Sequence, residues 1–193
     1  MVPAKQVIPE PPELFRMALA SLHMAKLRPE ITIDEAPAPS RLAPHAVALR
    51  ATVAATGEDE LAVGKLVVLF DPDGNDSWDG QFRLVAFVEA ELEPEMALDP
   101  LLPDVGWAWL TEALAGAGYH NLGGTVTRVA SQSYEALADR PVEGTIQLRA
   151  SWTPDSADLA PHAAAWGELL CTVAGLPPLP AGVAALPRRT ARK

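Results

Sequence analysis

The order of two hydrophobic periodicities constrains the fold of this chain more than any other feature. Three segments repeat apolar residues at helical spacing, and five segments alternate apolar with polar residues or are nearly continuous in apolar ones. The predicted helices span residues 11–28, 103–117 and 158–174, and the predicted strands span residues 47–53, 61–70, 82–92, 124–134 and 145–152. Strands that follow one another through short turns favour antiparallel pairing, since a parallel pair needs a long crossover. We therefore predict an α+β fold with a five-stranded antiparallel sheet, in the order α-β-β-β-α-β-β-α.

The chain length predicts one domain. A chain of 193 residues is long enough to bury a substantial single core and too short to need a second one. We expect a flexible N-terminus over residues 1–9, one α+β domain over residues 10–176, and a Pro-rich, basic tail over residues 177–193. Residues 30–44 hold three prolines and are predicted to be an extended connector.

The charge is distributed unevenly. The chain has 15 basic and 25 acidic residues, and four of the basic ones lie in residues 188–193, so that residues 1–187 carry a net charge of −14. Residues 58–104 alone hold 13 acidic residues against Lys65 and Arg83. An acidic body disfavours nucleic-acid binding, because such binding neutralises phosphates with cations. The short basic tail is more typical of a solvated terminus than of a binding site.

Composition also predicts a compartment. Cys171 is the only cysteine, which excludes an intrachain disulfide and fits a reducing cytoplasm. The first twelve residues lack the basic and apolar regions of a secretory signal. The uncharged stretch at residues 169–187 is interrupted by three prolines after Gly175, so a helix end and a tail explain it better than a membrane span. We expect a cytoplasmic protein without membrane contact.

The sequence predicts no catalytic, cofactor or metal site. It has no P-loop, GxSxG, GxGxxG or HExxH motif, and its four histidines share no ligand spacing. The acidic segment 71–80 begins like a calcium-binding loop, but Asp76 stands where such loops need glycine, and Phe82 where they need a bidentate glutamate. A strand-to-strand turn is the favoured interpretation, and weak ion binding by Asp71–Asp79 stays open.

Four residues are candidates for contacts with a partner or ligand. Trp78 lies in the acidic turn, where an exposed aromatic side chain can anchor a contact. Trp109 lies about 200° around its predicted helix from Trp107, so that one of the two is a candidate for an interface, such as that of a dimer. His120 lies in a loop rich in glycine and polar residues, and Arg128 in a polar strand, so that both could line a small pocket.

Two resemblances add expectations. The predicted element order and the acidic charge resemble small secretion chaperones, which act as dimers that bind client polypeptides. Five segments are similar to an actinobacterial family of unknown function that is often encoded near a ribonuclease-D-like gene: FDPDG (70–74), WDGQFR (78–83), DVGWAWL (104–110), GTVTR (124–128) and WTP (152–154). The family resemblance implies a source and a compartment, but no site.

Three hypotheses about function follow. The first is a non-enzymatic, cytoplasmic adaptor that holds a protein partner through an acidic face and an exposed aromatic residue. Such an adaptor could form a homodimer. The second is an enzyme or small-ligand module that uses residues 118–133, which requires a closed pocket with His120 and Arg128 directed inward. The third is a regulator of RNA metabolism that acts through contacts with a nuclease.

Overall fold

The computed structural model describes residues 10–54 and 60–178. Within them, four α-helices and six strands form one α+β unit with a single antiparallel sheet. In chain order these are α1 (Glu13–His23), β1 (Ile31–Ala36), β2 (His45–Ala54), β3 (Glu60–Asn75), β4 (Gly80–Leu92), α2 (Pro94–Leu98), α3 (Leu102–Leu114), β5 (Tyr119–Ser131), β6 (Glu143–Pro154) and α4 (Ala160–Val173). The predicted N-terminus, residues 1–9, and all but two residues of the predicted tail lie outside the described residues.

The sheet has the strand order β1-β2-β3-β4-β6-β5, and every neighbouring pair is antiparallel. The predicted α+β class and the antiparallel sheet are confirmed. The last two strands pair with each other as a hairpin-like unit, from Tyr119↔Pro154 to Ser131↔Glu143. The return strand β6 lies between β4 and β5, which leaves β5 at the edge of the sheet.

The predicted strand number and element order are wrong. The sixth strand is β1, which lies in the segment predicted to be a connector and pairs with β2 through Ile33↔Ala51. As an edge strand it buries little, and its alternation of Ile31 and Ile33 with polar residues ends after six residues at Pro37. The observed order is α-β-β-β-β-α-α-β-β-α, so the element order on which the resemblance to secretion chaperones rested is not present.

Several element boundaries also differ from prediction. The short helix α2 was not predicted and begins at Pro94, a residue that suits a first helical turn. Helix α4 begins at Ala160 instead of Asp158, and the Asp158 carboxylate accepts a hydrogen bond from the Ala160 amide at 3.2 Å. Strand β5 begins at Tyr119, five residues before the predicted start, because two glycines that suggested a loop are part of the strand.

All four helices pack on one face of the sheet. Phe15 of α1 stacks on Phe70 with ring centroids 5.4 Å apart. Gly106 lets α3 approach Ile146 and Val126, and Gly64 lets α4 approach through Trp166 and Leu170. The core between the two layers includes the fully buried side chains of Trp152, Trp166, Leu66, Leu84 and Ile146.

None of the described helices has the length and apolar character that crossing a membrane requires.

Candidate functional site

A large concave surface lies at the end of the sheet where β3 begins and β4 ends. It is a cleft of about 730 Å³. The antiparallel register Ala62↔Ala90 brings Glu60 to the same place as Glu91 and Glu93. The C-terminus of α4, Met96 of α2 and Trp109 of α3 complete the lining. We call this surface the acidic cleft.

The charges around the acidic cleft favour the binding of a cation. Within the described part of the chain, Glu60, Glu91 and Glu93 form no ion pair. The cleft also contains residues 172–175 at the C-terminal end of α4, where the helix dipole places partial negative charge. Three carboxylates and a helix C-terminus therefore act with the same sign on whatever enters the cleft.

Trp109 gives the acidic cleft an aromatic wall. Its side chain is half-buried and packs partly against the core. Val105 lies one helical turn earlier on the same flank of α3 and is 41% exposed, as is Met96. Trp107 lies on the other flank and is half-buried as well. Of the four predicted contact residues, only Trp109 lines this cleft.

His120 lies at the opposite end of the sheet, in a network that joins three strands. Its Nδ1 lies 2.7 Å from Oδ1 of Asp155, and its Nε2 lies 3.0 Å from the carbonyl oxygen of Asp79. An ionised carboxylate and a carbonyl are both acceptors, so the ring donates from both nitrogens when it is the imidazolium. The Asp155 carboxylate, followed by the Asp79 carbonyl, accordingly raises the pKa of His120.

Polar side chains around His120 hold the β3–β4 turn. Asn121, with a φ of 54°, donates to the carbonyl oxygens of Ser77 and Trp78, each at 3.3 Å. Arg83 donates to the Asn121 carbonyl at 2.8 Å and to the hydroxyls of Ser151 and Thr153 at 2.8 and 3.1 Å. The predicted contact residues Trp78 and His120 are thus close together. The contact of Trp78 with this network is made by its backbone carbonyl and not by its indole. Both ring nitrogens of His120 have hydrogen-bond partners, so the side chain connects the start of β5 to the end of β6 and the start of β4.

Arg128 is far from His120. Their partners in β6, Thr153 and Ile146, are seven strand positions apart, which corresponds to about 23 Å. The Arg128 guanidinium donates to the carbonyl of Asp99. The two residues therefore do not converge on one small pocket, and the hypothesis of an enzyme or ligand site built from both gains no support from this geometry.

The acidic turn uses its side chains to form local backbone turns. Asp71 Oδ1 accepts from the Asp73 amide at 3.1 Å, and Asn75 Oδ1 accepts from the Ser77 amide at 2.9 Å. Gly74 has a φ of 81°, which glycine adopts without strain. No group of three or more potential metal-binding side chains occurs among the residues described.

Two polar contacts that the sequence did not indicate lie in and beside the core. Trp152 Nε1 donates to Nδ1 of the fully buried His162 at 3.1 Å, and burial lowers the pKa of His162 to about 4. Arg28, itself buried, forms an ion pair with Glu30 at 2.9 Å and donates to the Pro177 carbonyl at 2.8 Å. Arg28 and Pro177 are 149 residues apart and Trp152 and His162 are 10 residues apart, and no sequence motif joins either pair, so only the fold could identify these two contacts.

Cys171 is buried on α4, and burial raises the pKa of its thiol to about 11. The thiolate is therefore scarce near neutral pH, and Cys171 has the environment of a packing residue.

The His120 network gives a pH-dependent prediction. We expect Asp155→Asn to lower the pKa of His120, because the amide cannot stabilise the imidazolium as the carboxylate does. The raised pKa stabilises the wild-type fold below the unfolded pKa of about 6.5, and that stabilisation disappears as the pH rises through the folded pKa. Titration of the His120 ring protons by NMR measures the change.

The matched control is Asp158→Asn, which removes a nearby carboxylate that does not contact His120. An unchanged His120 pKa in Asp155→Asn would contradict the role given to Asp155.

The comparisons with known proteins place this chain in a family. The fold defines the chain as an α+β protein with a single antiparallel sheet, and the acidic cleft lies at one end of that sheet. The chain belongs to the family described as Protein of unknown function (DUF3000), whose model matches residues 11–184. The resemblance to a family of unknown function is thus confirmed, whereas the actinobacterial source and the neighbouring gene stay predictions. No curated protein and no solved structure matches the chain.

Proposed function

We propose that this protein is a non-enzymatic, cytoplasmic adaptor that holds a basic segment of a protein partner in its acidic cleft. The observation that carries the proposal is the convergence of Glu60, Glu91 and Glu93 with Trp109 in one cleft of about 730 Å³. Carboxylates that have no cationic partner in the described ranges 10–54 and 60–178, together with an accessible indole, are what an arginine or lysine side chain needs.

Each part of the cleft has a role in this binding. The glutamates accept charge-assisted hydrogen bonds from the guanidinium or ammonium group. Trp109 contributes a cation–π contact of about 0.5–2 kcal/mol. The exposed Met96 packs against the aliphatic stem of the bound side chain, because long cationic side chains bury their methylenes on apolar surface.

This chemistry suits a partner with an extended basic surface. A nuclease that acts on RNA is one such protein, since it neutralises phosphates with lysine and arginine. The cleft would compete for that surface, and the regulation of RNA metabolism through a nuclease partner is therefore one form of the same proposal.

Binding of a basic peptide tests the proposal. The probe is a synthetic twelve-residue peptide of alternating arginine and glycine, titrated at low salt and followed by tryptophan fluorescence and calorimetry. We expect a dissociation constant in the micromolar range. It should rise as salt is added, because salt screens the attraction between the charges. Loss of the cation–π contact in Trp109→Leu, which retains apolar packing, should weaken binding about tenfold. The double variant E91Q/E93Q should weaken it by a similar factor.

The matched control is D73N/D76N, which removes the same charge from exposed residues at the opposite end of the sheet. It should bind nearly as well as the wild type. Equal binding by E91Q/E93Q and D73N/D76N would show that net charge alone attracts the peptide, and the assignment of the acidic cleft would then be wrong.

A further inference from the structure

Strand β5 is an open edge of the sheet. It is 13 residues long, pairs with β6 on one side, and has no strand on its other side among the described residues. Most of its residues from Gly123 to Ser131 are exposed, and Val129 is 43% exposed. Its outer backbone groups are therefore available to another strand.

The two edges of the sheet differ in how they discourage pairing. The opposite edge, β1, is six residues long, contains Asp34 and Glu35, and is followed by Pro37 and Pro39. Short length, charge and proline are the usual means by which edge strands avoid association. Strand β5 is longer and contains no proline, no lysine and no carboxylate; its one charged residue is Arg128, and its register irregularity is confined to His120–Gly123.

The absence of carboxylates in β5 indicates what kind of strand can join it. Residues 1–187 carry a net charge of −14, so two copies of this protein repel one another over most of their surface. From Leu122 to Ala130 the strand has a single charge, that of Arg128, whose guanidinium is engaged with Asp99. Two copies can thus meet along β5 without bringing carboxylates of that strand together.

We propose that β5 pairs antiparallel with β5 of a second copy, with a two-fold axis at Val126, so that one sheet runs through both copies. In this register Thr125 lies opposite Thr127 of the second copy, twice, and such Thr–Thr pairs are favourable across strands. Arg128 lies opposite Gly124, which keeps the two arginines about 13 Å apart along the strand.

The helix layer can accommodate this pairing. An added Cβ on Gly106 would lie 3.1 Å from Ile146 of β6 and 3.3 Å from Val126 of β5, so α3 lies above the space between these two strands. Across the two-fold axis, with strands about 4.8 Å apart, the two α3 axes would be separated by about 10 Å. Helices in contact pack at about 8–10 Å, so the helices meet without overlap and bury their Trp107 flanks.

The expected dimer is of moderate affinity. One pair of strands buries less than the roughly 1,200 Å² of a stable interface, and the contact between the α3 helices supplies the remaining apolar area. The inference does not depend on the acidic cleft, which lies on the other flank of α3.

Charge substitution at the paired threonines tests both the dimer and its register. In T125E/T127E, the proposed register places like charges opposite each other twice, and we expect a monomer by light scattering and sedimentation over 1–200 µM. In T125E/T127K, the same register places opposite charges together, and we expect a dimer at least as tight as the wild type. A mixture of T125E/T127E with T125K/T127K should form a heterodimer.

Circular dichroism and thermal unfolding of each variant report whether its fold is intact. A wild type that is monomeric throughout this concentration range would overturn the dimer. A folded T125E/T127E that remains as dimeric as the wild type would overturn the assignment to β5, and a monomeric T125E/T127K would overturn the register. Loss of peptide binding in E91Q/E93Q leaves these outcomes unaffected, so the two proposals can fail separately.

Discussion

The free energy of unfolding should fall by about 3 kcal/mol between pH 6.5 and pH 4 through the titration of one buried residue, His162. Burial lowers its folded pKa to about 4 from the ordinary 6.5. As the pH falls below 6.5, the unfolded chain binds a proton at His162 and the folded protein does not. The contribution of the neutral His162 to the free energy of unfolding is therefore fully present above pH 6.5. It declines as the pH falls and is mostly lost when the pH reaches the folded pKa of about 4.

The contact with Trp152 explains why the folded protein resists this proton. The indole Nε1 can only donate, so His162 Nδ1 must be the unprotonated nitrogen of the ring. A second proton would have to go to Nδ1, where it would face the indole N–H and break the bond. The ring is fully buried, and its Nε2 has no hydrogen-bond partner among the described residues, so that burial outweighs the favourable charges of Asp155 and Asp158.

Urea unfolding at several pH values between 7 and 4 measures the effect. His162→Gln is the informative variant, because an amide oxygen can accept the Trp152 hydrogen bond without titrating. We expect His162→Gln to remove most of the difference between pH 6.5 and 4, whereas the exposed His23→Gln should retain it. Carboxylates contribute to acid unfolding in all three proteins, so the comparison isolates His162. An equal loss of stability in His162→Gln would refute the assignment.

The sheet was predictable from sequence wherever one strand face is buried. Residues 82–92 alternate because one face contacts the helices, and this pattern matches β4 closely. Strand β1 was not predicted because an edge strand buries few side chains, and its neighbouring prolines indicated a connector. The start of β5 was not predicted, because Gly123 and Gly124 are typical of turns. In the structure, Gly124 is required because the backbone of β6 leaves no space for a side chain at this position.

The candidate contact surfaces were only partly predictable. The orientation of Trp109 relative to Trp107 follows from helix geometry, which identified Trp109 as a candidate before the cleft was known. The convergence of Glu60 with Glu91 depends on the register of β3 and β4, which the alternation pattern does not specify. The partners of His120 are 35 and 41 residues away in the chain, and only the strand order 4-6-5 brings them together.

The two adjacent glycines of β5 should respond very differently to the same substitution. A Cβ on Gly124 would overlap the carbonyl oxygen of Arg149 and lie 2.8 Å from the Cα of Ala150, both of which are backbone atoms of β6. Because backbone in a paired strand cannot move aside cheaply, we expect Gly124→Ala to destabilise the fold by about 3 kcal/mol or more. Urea unfolding of the variant, compared with the wild type, gives this difference.

Gly123→Ala is the matched control, since nothing lies within 4 Å of the position that its Cβ would occupy. Alanine restricts the unfolded chain more than glycine does, so Gly123→Ala should be neutral or should stabilise the fold by up to about 1 kcal/mol. The two variants have the same composition and differ only in which face of β5 receives the methyl group. Equal stabilities would mean that β5 is not held against β6 in the described register, and the free edge proposed for the dimer would then be placed on the wrong strand.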